Sequence, residues 1–133
     1  MKHLLIVAAL IFFQQSVFSQ KTSTPYDKAL QKIEQENYEG AITDLNRIIQ
    51  ADSSNATAIF KRGYCYALLR DHKAALIDFN RAIFMNAGEG EWFSERGIAK
   101  LNLRDMEGAC QDWKSASKMG FSAANDLIDE YCP

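Results

Sequence analysis

Residues 58–87 read AIFKRGYCYALLRDHKAALIDFNRAIFMNA, and the marks in this stretch return elsewhere in the chain at a fixed interval. Ala75 has Ala41 and Ala109 at 34 residues on either side. Phe79 has Leu45 and Trp113 at the same interval, Asp78 has Asp44 and Asp112, and Arg62-Gly63 returns as Arg96-Gly97. A period of this length matches a helix-turn-helix unit that cannot bury its apolar face alone and stacks on its neighbours to make a continuous core. The recurring small residues have a packing reason. Gly63, Gly97 and Ala29 on one helix, and Ala41, Ala75 and Ala109 on its partner, let two backbones approach closely. Glu36-Asn37, Arg70-Asp71 and Arg104-Asp105 have the polar character of short helix-helix turns. The spacing predicts helix pairs at about 25–36 and 39–51, 57–69 and 72–86, and 91–103 and 106–118.

These columns resemble the tetratricopeptide repeat (TPR) family, whose pattern is an aromatic, then Leu-Gly, then Tyr on helix A, and Ala, then Phe, on helix B. The middle repeat carries Ile59, Arg62-Gly63, Tyr66, Ala75, Phe79 and Ala82. The third carries Phe93, Arg96-Gly97, Lys100, Ala109, Trp113 and Ala116, and departs at Lys100, where an aromatic is usual. The first carries Pro25, Lys28-Ala29, Lys32, Ala41, Leu45 and Ile48, so its helix A is degenerate. The Pro that commonly closes the unit is replaced by Ser53, Ala87 and Phe121. The resemblance implies an all-α fold, a right-handed α-solenoid of three repeats at about 22–55, 56–89 and 90–121.

Beyond the third repeat, Gly120 is a helix stop and Ser122 a candidate N-cap for a last helix, at about 122–131. Ala123, Ala124, Leu127, Ile128 and Tyr131 fall on one face of it, while Asn125, Asp126, Asp129 and Glu130 are polar. This is the pattern of a terminal cap, and the array is expected to end with it.

The first residues stand apart. Lys2 and His3 precede an apolar run from Leu4 to Phe13, about half the ~20 residues that span a membrane and within the range of a secretory h-region. With Val17 and Ser19 at the recognition positions, a signal peptide at 1–19 and a mature domain at 20–133 are expected, exported to a periplasmic or extracellular space. No Cys follows the h-region, so lipid attachment at a new N-terminal cysteine is not expected. Loss of Lys2 takes the 15 basic residues to 14 against 17 acidic, a net −3. Charges of both signs are interspersed and no basic stripe with interleaved aromatics occurs, so neither nucleic acid nor membrane insertion after signal removal is expected.

Cys65, Cys110 and Cys132 permit one bridge and one free thiol in an exported protein. Cys65 reads as a small buried hydrophobe in the middle of a helix A. If the third helix B and the capping helix form an antiparallel hairpin turning at Gly120, Cys110 and Cys132 lie about ten and twelve residues from the turn and end level. That favours a Cys110–Cys132 disulfide over two unrelated thiols.

Chemistry is sparse. His72 is the one histidine after Ser19 and lies beside Asp71 at a turn, where a solvated role is expected. Catalytic residues, metal ligands and cofactors are expected to be none: one His cannot build a zinc site with these cysteines, and Gly88-Glu89-Gly90 lacks the strand and Lys of a phosphate loop. A second recurring feature is ionic. Lys28, Arg62 and Arg96 share one column and Asp44, Asp78 and Asp112 another, which suggests pairs between adjacent repeats, Asp44 with Arg62 and Asp78 with Arg96.

Function then rests on the stacked surface. In the TPR family the concave face is built mainly from helix A, which by resemblance places Tyr26, Phe60 and Ser94 in one row, Leu30, Tyr64 and Ile98 in the next, and Ile33, Ala67 and Leu101 beyond. The rows are apolar and aromatic. Lys, Arg and Asn, which clamp a peptide's terminal carboxylate in some members, are missing from them. The expectation is a non-enzymatic interaction module that binds an apolar peptide segment, with Phe60 and Tyr64 as central anchors. The alternative is a homo-oligomer, or a structural protein whose groove is filled by another copy or by its own segment after Gln20.

Overall fold

A computed structural model describes residues 22–133; the expected signal peptide at 1–19 lies outside them. The described residues form seven helices and no strand: α1 Pro25–Glu34, α2 Tyr38–Ala51, α3 Ala56–Leu68, α4 His72–Met85, α5 Gly90–Asn102, α6 Met106–Lys118 and α7 Ala124–Tyr131. The chain is an all-α stack of three hairpins, α1–α2, α3–α4 and α5–α6, with α7 on its end. Each helix packs on its neighbours in sequence, and α3 also touches α5.

Local signals explain the boundaries. At the start of α1, Thr24 Oγ1 accepts from the Asp27 amide at 3.1 Å and Asp27 Oδ2 accepts from the Thr24 amide at 2.9 Å, a reciprocal cap that satisfies two amides helix geometry leaves free. Each first helix ends in the same way. The Glu36, Arg70 and Arg104 amides donate to Ile33, Ala67 and Leu101, and the next amides, of Asn37, Asp71 and Asp105, reach back to Lys32, Tyr66 and Lys100. This closure requires a left-handed residue, and Glu36, Arg70 and Arg104 supply it at φ 59°, 63° and 68°. The following residue caps the second helix: Asn37, Asp71 and Asp105 accept from the Gly40, Ala74 and Gly108 amides at 3.0, 3.1 and 2.9 Å. Gly120, at φ 87°, closes α6 by the same device. The expected Ser122 cap does not form. Helix α7 begins at Ala124 without a side-chain cap, and the Ser122 carbonyl accepts from the Asn125 amide instead.

The small-residue columns hold the hairpins together. A methyl group at Gly63 would sit 2.9 Å from Asp78 Cβ and 3.0 Å from the Phe79 ring, and one at Gly97 would sit 2.6 Å from Trp113 Nε1. Ala29 carries that methyl in the first repeat, where the facing side chain is the smaller Leu45. Cys65 is fully buried, and burial pushes its thiol up to about 11, consistent with an inert packing role. Cys110 and Cys132 are bridged, with Cα atoms 5.8 Å apart, and Tyr131 lays its ring 5.8 Å from that of Trp113. Ala124 is buried beneath α7, and Leu127 and Ile128 pack on the third repeat; Ala123, expected on the same face, is exposed.

The ionic columns pair within a repeat rather than between repeats. Arg62 grips Asp78 with Nε at 2.8 Å and Nη2 at 2.7 Å, and Arg96 grips Asp112 with the same two distances. The remaining nitrogen reaches across the repeat boundary, Arg62 Nη1 to Asn46 at 3.0 Å and Arg96 Nη1 to Asn80 at 3.1 Å. The expected Asp44–Arg62 and Asp78–Arg96 pairs are therefore replaced. Gly63 and Gly97 bring the two helices of one hairpin so close that the guanidinium meets its own hairpin's carboxylate first. The fork of the guanidinium still serves both neighbours, and the Asp78 hydrogen bonds raise the Arg62 pKa further.

Candidate peptide groove

The face of α1, α3 and α5 turned away from the second helices carries the expected rows, and burial divides them. Tyr26, Leu30, Tyr64 and Ile98 are half-buried and open to solvent on one side. Phe60 and Ser94 are not. Phe60 is 1 % exposed and stacks on Trp92 with ring centres 4.9 Å apart and planes 13° apart, while the centre of the tilted Phe79 ring lies 5.4 Å away. Ser94 is 4 % exposed, and its carbonyl accepts from Trp113 Nε1 at 3.2 Å. The expectation that Phe60 anchors a ligand is thus corrected: the bulk of Trp92, at the start of α5, covers it and makes it the seam between repeats two and three. Ile33 and Ala67 are partly buried against the main core, and Leu101 against the third repeat's.

Three charged residues border what remains. Lys61 places its Nζ 5.5 Å from the Phe60 ring centre and 5.6 Å from that of Tyr64. Glu91 is exposed and Glu95 half-buried on α5. Burial raises the Glu95 pKa, Glu91 raises it further, and Lys61 partly opposes them. The tyrosines also titrate above their ordinary value. Burial is the main cause for both; the charge of Glu91 adds to it at Tyr26, and those of Glu95 and Glu91 add to it at Tyr64. A carboxylate of repeat three thus acts on side chains of repeats one and two. Neither Glu91 nor Glu95 has a hydrogen-bond or ion-pair partner among the described residues.

Tyr26 also faces a cavity on the second-helix side of repeat one. This open cavity of about 570 Å³ is formed at the free end of repeat one by Pro25, Tyr26, Ile48 and Ala51 with Lys28, Asp44 and Arg47 around it. Among the described residues no group of three His, Cys, Asp or Glu side chains could hold a metal ion, and no helix is long and apolar enough to cross a membrane. His72 is half-buried rather than fully solvated, with its Nδ1 turned inward and unpartnered. Trp92, Glu91, Glu95 and the two asparagines that join repeats are not among the residues expected from the sequence. Asn46 and Asn80 were detectable, being 34 residues apart; at the positions of Trp92 and Glu91 the other repeats carry unlike residues, and Glu95 shares its column with Asp27 and the oppositely charged Lys61.

No protein-family model matches the chain, and neither does any curated protein. Solved structures match over most of its length. The first TPR domain of Spaghetti (RPAP3), bound to HSP90 peptide SRMEEVD, is 25% identical, with a TM-score of 0.78 over 86% of this chain and 93% of that one. PcrH of Pseudomonas aeruginosa, in complex with the chaperone-binding region of PopD, is 16% identical, with a TM-score of 0.77 over 80% of this chain and 87% of that one. The Arabidopsis OM64 TPR domain is 17% identical, with a TM-score of 0.73 over 80% and 92% of the two chains. The fold is that of a tetratricopeptide-repeat domain. Its structural neighbours are protein-interaction domains, and among them the Spaghetti domain and PcrH are solved with a bound peptide or partner region.

Proposed function

We propose that this chain is an exported, non-enzymatic adaptor that holds an extended segment of a partner protein on the face of α1, α3 and α5, with Tyr64 as its central anchor and Tyr26, Leu30 and Ile98 around it. The carrying observation is that these four side chains of the first helices each remain half-exposed, and that the charge of Glu91 on α5 reaches both tyrosines. Tyrosine suits the task because it offers a large contact area at little cost in side-chain entropy. The face lacks a Lys, Arg and Asn clamp, so the mode suggested by the acidic peptide SRMEEVD is not carried over. Export is supported by the sequence of residues 1–19 and by the Cys110–Cys132 bridge, which suits an oxidising compartment. Tyr64→Ala should weaken partner capture by about tenfold or more while circular dichroism stays unchanged. Unfolding would make Tyr64 core; a folded variant that binds as before would move the site elsewhere.

One observation favours a second reading, self-assembly. Ile77 and Phe84 on α4 are 68% and 92% exposed, and the corresponding positions in the other repeats are Thr43 and Gln111, and Gln50 and Lys118. Such a pair could seat in the groove of another copy. Light scattering during size-exclusion chromatography distinguishes the two readings, since a monomer at tens of micromolar would exclude the second.

A further inference from the structure

Resting on the groove reading above, the charge on this face defines the chemistry of its occupant. We infer that the groove takes a cationic amphipathic segment, in which Lys or Arg side chains meet Glu91 and Glu95 while an apolar or aromatic side chain lies on Tyr64. Apart from the basic columns of Lys28, Arg62 and Arg96 and of Lys32 and Lys100, whose members Lys32, Arg62, Arg96 and Lys100 pair with aspartates of the second helices, the first helices carry Asp27, Lys61 and Glu95 in one register and Glu91 in another. Asp27 is engaged by the Thr24 cap. Lys61 directs its ammonium at the Phe60 and Tyr64 rings. Glu91 and Glu95 are left without an ion pair, although every buried aspartate on the second helices has one. A half-buried carboxylate without a partner is costly in the free protein, and an incoming cation relieves that cost, so the charge acts in favour of one ligand sign. The tyrosines add to it. Their ring faces attract cations, as the position of Lys61 over Tyr64 shows.

Fluorescence titration of the purified chain with labelled peptides tests this. The probes are a 12-residue peptide alternating Lys with Leu and Phe, the same peptide with Glu for Lys, and the same peptide with Ser for Lys. The lysine peptide should bind at least about tenfold tighter than its glutamate twin, and the preference should shrink as salt rises from 50 to 500 mM. In E91Q/E95Q, checked for folding by circular dichroism, the lysine peptide should lose about fivefold or more in affinity and the serine peptide should be unaffected. Equal binding of the three peptides, or an unchanged Kd in E91Q/E95Q, would overturn the cationic preference. If Tyr64→Ala still weakens all three, the groove reading survives that failure. If Tyr64→Ala weakens none, or no peptide binds, the groove reading falls and this inference with it.

Discussion

Repeat one and repeat three are built on the same columns and held by different physics. In repeat three, Asp112 is nearly sealed from solvent and receives Arg96 at two nitrogens and Lys100 at 2.9 Å, while Arg96 also lies 5.2 Å from the centre of the Phe93 ring. In repeat one the matching Asp44 is 16% exposed and held by Lys32 at 2.7 Å, with Arg47 at 3.8 Å. Lys28, at the column of Arg96, is exposed and makes no such pair. The difference begins with one pair of residues. Arg-Gly in repeat three brings a fork and a close backbone; Lys-Ala in repeat one brings neither. The teaching is that a repeat column keeps its place in space while its energetic content depends on burial.

Substituting the shared aspartate breaks the comparison most sharply. Asp112→Ala strands two cations in a site from which water is largely excluded, and should cost about 3–5 kcal/mol. Asp44→Ala removes a partly solvated pair and should cost at most about 1 kcal/mol. Urea denaturation of both variants gives the two values, and equal losses would show that the buried network carries no more than its exposed counterpart. Arg62 and Asp78 in repeat two should behave as repeat three does, since Asp78 is as buried as Asp112.

Much of this contrast was legible in the sequence, because the 34-residue interval fixes which residues share a column and the column fixes which face of a helix they occupy. The helix pairs, the close approaches at Gly63 and Gly97, and the level placement of Cys110 and Cys132 all follow from counting. Partner choice did not. The register assigns Asp44 to Arg62 and Asp78 to Arg96 as readily as the observed pairs, and only the glycine-tightened hairpin selects the carboxylate 16 residues ahead. Likewise Phe60 and Tyr64 read alike as groove residues. Trp92 then buries the first and leaves the second open, and no rule of helical period foretells where a large side chain from the next repeat will fold over.

The ends of the stack differ as well, and cutting the bridge sharpens that. The Cys110–Cys132 disulfide spans 22 residues and ties the cap to repeat three, whereas α1 is covered by no further helix among the described residues. On the chain-entropy account a loop of that length contributes ~3 kcal/mol. C110S/C132S should therefore lose about that much, and hydrogen exchange should show the protection of α7 falling to the level of α1. If α7 stays as protected as before, the packing of Leu127, Ile128 and Tyr131 holds the cap without the bridge.

The smallest effect should erase the contrast between repeats. Glu36, Arg70 and Arg104 sit in the left-handed region in the same closure, with the same two hydrogen bonds, and none depends on burial. An L-residue with a Cβ there costs roughly 1–2 kcal/mol over its right-handed conformation, whereas glycine carries no such strain but is freer in the unfolded chain by roughly 0.5–1 kcal/mol. The two effects nearly offset, so Glu36→Gly, Arg70→Gly and Arg104→Gly should each stabilise by about 0.5 kcal/mol. Chemical denaturation at fixed slope measures the change. The informative result is the spread: three equal gains mean that turn strain is a local property repeated with the period. A gain confined to Glu36 would mean that the tighter hairpins of repeats two and three already compensate the strain, and the difference between the repeats would then extend to their turns.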